Sequence, residues 1–120
     1  QLYLDGAHND AAAEAVHKFL ETLKNKKIYM ILGMLNTKDP KVFLKHFSST
    51  ITALKTINIP HQDNSQDPKV LAKVANEFGI KANTSKGITE ALHEIANEDP
   101  NAIIIITGSL YLMGEVLNLN

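Results

Sequence analysis

Apolar residues follow two periodicities along this chain, and the two alternate. Short apolar stretches at residues 2–4, 28–32, 53–59, 80–84 (the weakest) and 102–106 read as β-strands. The second and fifth are unbroken apolar runs, the pattern of strands covered on both faces of a parallel sheet. Between them, helical stripes recur. Ala12, Val16, Phe19, Leu20 and Leu23 form one; Val70, Leu71, Val74, Ala75 and Phe78 a second; Ala91, Leu92, Ile95 and Ala96 a third. Asp39-Pro40 and Asp67-Pro68 each place a capping carboxylate before a proline at the first helical position. Gly79 after Phe78 predicts a helix stop, and a last helix is expected over about 110–117. Strand and helix alternate without internal repeat, linker or low-complexity tract, which predicts one α/β domain in three layers. Its sheet of about five strands is expected to be mostly parallel and doubly wound, with helices on both faces.

Composition fits one such Rossmann-like unit. The chain has 120 residues, 44% of them hydrophobic and 21% charged, enough for a single core. Twelve basic against thirteen acidic residues leave a net charge of −1, which argues against nucleic acid or an anionic membrane as partner. Cysteine is absent, so disulfide and thiol chemistry are excluded, and a reducing cytoplasm is the expected compartment. The run at 102–106 is far too short to span a bilayer, and the first residues carry no basic signal-peptide region before Asp5. A chain that opens on a strand, without methionine, is expected to be part of something longer.

Three strand-to-helix turns concentrate polar residues. Open α/β sheets bind ligands beyond the carboxyl ends of their strands, and helix N-termini attract anions. In the first turn, Asp5-Gly6-Ala7-His8-Asn9, the acid suits ribose hydroxyls, the glycine permits close backbone approach and the imidazole can donate to phosphate or carboxylate oxygens. The same string equally suits a helix cap at Asn9 with a solvated His8. The second turn, Gly33-Met34-Leu35-Asn36-Thr37-Lys38-Asp39, offers Lys38 to a polyanion, or is an ordinary helix entry. The third, Thr107-Gly108-Ser109, is either an anion-binding turn or a tight turn with Ser109 as N-cap.

Other constellations do not assemble. Asp5, His8 and Ser109 have the residue types of a hydrolytic triad, yet no nucleophile elbow is present. His61 and Asp63 share a loop without a further ligand at metal-binding spacing, so no metal site is expected. His17, His46 and His93 fall within helical patterns, as surface or packing residues, and there is no Walker A string.

Together the turns resemble the C-terminal domain of folylpolyglutamate synthase/dihydrofolate synthase, in the Mur ligase superfamily. The resemblance rests on Leu4-Asp5-Gly6-Ala7-His8-Asn9 before an amphipathic helix and on Ile31-Leu32-Gly33-Met34 with Lys38-Asp39. It closes on Thr107-Gly108-Ser109-Leu110-Tyr111-Leu112-Met113-Gly114-Glu115-Val116. It spans nearly the whole chain, and its first and last motifs are specific. It implies an ATP-dependent ligase of folate biosynthesis and one-carbon metabolism, cytoplasmic and monomeric. In such enzymes a central P-loop domain, which also holds most of the Mg2+ ligands and the folate site, activates a carboxylate of folate or dihydropteroate as an acyl phosphate. L-glutamate then attacks it. The C-terminal domain, here residues 1–120, closes over ATP and helps hold glutamate.

By the same resemblance, Asp5, Gly6, His8 and Asn9 would meet ATP, with Asp5 on the ribose. His8 would lie near the phosphates and the incoming glutamate, as the catalytic side chain, and Ser109 would help hold glutamate. Lys38 and Asp39 would be structural or cleft-lining.

The motif departs from the family at one place. Asp10 stands where proline is usual, and is expected to point to solvent. The P-loop domain, and an upstream basic residue used on ATP, are not in this sequence, so the domain alone is expected to be inactive. Two alternatives belong beside this reading. One is an independent α/β binding module or inactive remnant; the other is the C-terminal domain of a cell-wall Mur ligase, disfavoured by Gly6 and by Gly108-Ser109-Leu110-Tyr111.

Overall fold

The computed structural model describes residues 2–4, 10–23 and 26–108. Among the described residues, five strands and four helices follow in strict alternation: β1 (Leu2–Leu4), α1 (Asp10–Glu21), β2 (Ile28–Leu32), α2 (Pro40–Leu44), β3 (Ala53–Thr56), α3 (Pro68–Glu77), β4 (Ala82–Thr84), α4 (Ile88–Glu98) and β5 (Ile103–Thr107). All strands are parallel, in the order β1-β5-β2-β3-β4. The chain thus takes three steps in one direction across the sheet. A fourth then returns over β3 and β2 to insert β5 between β1 and β2.

Right-handed crossovers put the helices of same-direction steps on one face and that of a return step on the other. The packing follows this rule. Alternate β2 residues Ile28, Met30 and Leu32 join α1, α2 and α3 in one buried cluster, with Phe43, Phe47 and Leu71 at its heart. Tyr29 and Ile31 face the other way and pack with Ile88, Ala91 and Ile95 of α4. On β5 the same alternation sends Ile103 and Ile105 to the first face and Ile106 to the second. Burying each such side chain contributes about 1.5–3 kcal/mol, so both faces fix the register of the central strands.

Local chemistry sets the helix ends. Asp39 and Asp67 each accept a hydrogen bond from the backbone N–H two residues on, at 2.9 Å, with Pro40 and Pro68 opening α2 and α3. At the end of α3, Gly79 adopts φ +80°. Its N–H bonds Asn76 O, and that of Ile80 bonds Ala75 O, each at 3.0 Å, the paired closure of a Schellman motif.

Three expected strands shift. β3 stops at Thr56 rather than Ile59: Ile57 and Ile59 are buried by core packing beyond the end of the ladder. β4 begins at Ala82, and β5 runs one residue later than expected, 103–107. The expected final helix lies outside the described residues.

Candidate functional site

In a parallel sheet every strand delivers its carboxyl end to one edge, and here the turns leaving that edge are joined to one another. The Gly33 N–H donates to the Thr107 carbonyl at 3.3 Å, linking the turn after β2 to the turn after β5. Gly108, buried at φ +113°, sits with its Cα against the Gly33 carbonyl. A Cβ there would collide with Gly33 O and stand 2.6 Å from Leu32 Cδ1.

On its far side the turn after β2 is held by the loop after β3. Asn36 N–H bonds Asn64 O and Gln66 N–H bonds Met34 O, both at 2.7 Å, around an antiparallel bridge between Leu35 and Ser65. The Ser65 hydroxyl in turn accepts from Ile59 N–H at 2.9 Å. In this loop His61 takes φ +63°. Three neighbouring turns are therefore tied into one platform along the carboxyl edge.

β1 brings its own end to the same place. It pairs directly with β5, Leu4 lying opposite Ile106. The residue entering the first polar turn and the strand entering the third are thus adjacent, the geometry that a crevice shared by both turns requires. Asp5, Gly6, His8, Asn9 and Ser109 themselves lie outside the described residues.

Other polar residues of the sequence motifs find defined places. Lys38 is exposed in the turn after β2, and Asp39 is spent on the α2 cap. Thr107 is fully buried, and its hydroxyl has no hydrogen-bond partner among the described residues. An unpaired buried hydroxyl costs about 1–3 kcal/mol, and this one stands at the entrance to the third turn.

Asp10 reaches solvent as expected, and its carboxylate is also paired. Its side chain is 58% exposed, yet Oδ1 accepts from His46 Nε2 at 2.7 Å and lies 3.4 Å from Lys45 Nζ. The His46 hydrogen bond outweighs the opposing effect of burial and, with help from the Lys45 charge, holds the Asp10 carboxyl below its usual range. His46 is thus more than a surface or packing residue: it ties α2 to the start of α1. Periodicity marks helix faces and carries no sign of such a pair, made across 36 positions. His17 is half-buried on α1, its Nε2 3.4 Å from Glu21 and its buried Nδ1 without a partner among the described residues, and His93 is exposed on α4.

At the opposite, amino edge, burial pushes the Tyr29 phenol up, helped by the Glu98 and Asp99 carboxylates. Lys55, nearly buried, meets Glu98 Oε1 at 3.3 Å. Among the described residues no group of three or more histidine or acidic side chains is placed to hold a metal ion, around His61 and Asp63 or elsewhere.

Comparison with known proteins decides the family. The model for the dihydrofolate synthetase C-terminal domain matches residues 1–119. The chain belongs to that family. A relative in Schizosaccharomyces pombe, named as a probable dihydrofolate synthetase, is 28% identical over 96% of this chain and 30% of its own length. The Mycobacterium tuberculosis folylpolyglutamate synthase, solved with ADP, superimposes with a TM-score of 0.85 at 24% identity, over 98% of this chain and 29% of that one. The bifunctional folylpolyglutamate synthase/dihydrofolate synthase of Yersinia pestis, solved with AMPPNP and a manganese ion, gives 0.83 at 23%, over 98% and 28%. Both likenesses establish the shared fold. The chain spans under a third of the length of each of these three relatives.

Proposed function

We propose that this chain is the C-terminal domain of an ATP-dependent ligase that adds L-glutamate to folate or dihydropteroate, and that the platform at its carboxyl edge faces the nucleotide. The observation that carries the reading is the adjacency of β1 and β5, with the turn after β5 packed onto the turn after β2. It gives the two family-specific motifs neighbouring starting points. Family membership and the nucleotides named with the two solved relatives support it further.

ATP would supply the phosphoryl group that converts the acceptor carboxylate into an acyl phosphate; the glutamate amine would attack its acyl carbon, expelling inorganic phosphate and losing a proton as the amide forms. The donor set of this domain suits that task. Asp5 would accept the ribose hydroxyls, and Gly6 and Asn9 would bring backbone and amide close to the nucleotide. His8 would donate to phosphate oxygens beside the incoming amine, and Ser109 would hold the glutamate. Domain closure would exclude water, which otherwise hydrolyses the activated carboxylate. Mg2+ would be held mainly by the P-loop domain, and the enzyme would work as a cytoplasmic monomer.

The test is an assay of this domain joined to its P-loop partner, with dihydropteroate and then a folate as acceptor. Glutamate-dependent release of ADP and phosphate is expected with at least one acceptor, lowered at least roughly tenfold by His8→Ala. Absence of glutamate-dependent turnover with both would overturn the reading.

A further inference from the structure

The connection carrying Asp5 and His8, residues 5–9, runs between two points held by different parts of the fold. Leu4 is paired with Ile106 in the sheet, and Asp10 is held by His46 and Lys45. The hold at Asp10 is itself anchored. His46 is 17% exposed and its ring stands edge-on to Phe47 at 6.5 Å, while Phe43 and Phe47 are fully buried with rings 5.0 Å apart. A side chain so confined loses little further rotamer freedom when it bonds Asp10, unlike two free surface chains. The carboxylate also sits in the first turn of α1, where the helix dipole favours it.

We propose that His46, acting through Asp10, is a positioning residue for the connection that carries Asp5 and His8, with Lys45 as a weaker second hold. The inference rests on the role given to that connection above. Releasing Asp10 frees the first turn of α1 to fray and loosens the hold at the carboxyl end of that connection. A looser hold is costly for a reaction that depends on alignment.

The test uses the ligase carrying this domain. His46→Ala should lower kcat/KM for ATP and glutamate roughly tenfold, with the KM for the folate acceptor unmoved. His46→Gln, whose amide can still donate to Asp10, should restore most of the loss. The double variant Asp10→Ala with His46→Ala should lose no more than the worse single one.

His8→Ala in the same background separates two failures. A loss with His8→Ala but none with His46→Ala overturns the positioning role and leaves the role of the connection standing. No loss with either removes both. Should His46→Ala fold poorly, Asp10→Asn, at an exposed position, carries the same test: a smaller drop in kcat/KM is expected, and unchanged kinetics would overturn the proposal.

Discussion

Gly108 shows how much of the carboxyl edge depends on one missing side chain. Its φ of +113° lies where residues other than glycine are strained, and its Cα touches the backbone of Gly33. Gly108→Ala therefore adds backbone strain to overpacking against main chain that cannot swing aside, for a loss of about 3 kcal/mol or more. A urea midpoint falling by the corresponding amount, with unchanged slope, checks this; a change within about 0.5 kcal/mol would show that the two turns separate easily. Nothing near Gly108 in sequence announces the contact, because its partner is 75 positions away. The residue-level features that the sequence did reveal are those whose partner lies within a few positions: the caps at Asp39 and Asp67 and the stop at Gly79.

Among the elements, legibility follows how completely each is buried. The unbroken runs of β2 and β5 mark strands covered on both faces, and both are found within a residue of their expected limits. β3 misleads because its apolar run outlasts its pairing: Ile57 and Ile59 serve the core from a loop. The tie between α1 and α2 has no periodic signature at all, yet it has a consequence that pH exposes. Asp10 has a folded-state pKa below the ordinary 3.8. Its contribution to stability is thus complete above the unfolded value and is lost as pH falls through the folded one. Melting temperatures of the wild type and Asp10→Asn, followed from about pH 5 to about pH 2, should converge toward the acid end. A gap that stays constant over that window would mean the carboxylate adds nothing that its amide does not.

For the whole molecule, strand–helix alternation predicts a parallel sheet wound on both faces, and this is the architecture observed. The insertion of β5 between β1 and β2 is beyond the reach of periodicity, since pairing between distant strands leaves no local trace. It matters most for function, because it sets the exit of β1 beside that of β5. Asp5, Gly6, His8, Asn9 and Ser109 were recognisable from motifs rather than from pattern, and their proposed roles depend on which edge of the sheet meets the nucleotide. The chain carries the turns proposed to form the site while spanning under a third of the relatives compared with it. Those turns are proposed to act only when the P-loop partner brings ATP to them.

Paramagnetic broadening by Mn2+–ATP in the assembled ligase, with this domain isotopically labelled, tests that placement most directly. The amides of Leu32 to Asn36 and of Thr107 and Gly108 should broaden first, together with those of residues 5–9. Broadening centred instead on the amino edge, at Lys27, Ile28, Ala53 and Ala102, would contradict it.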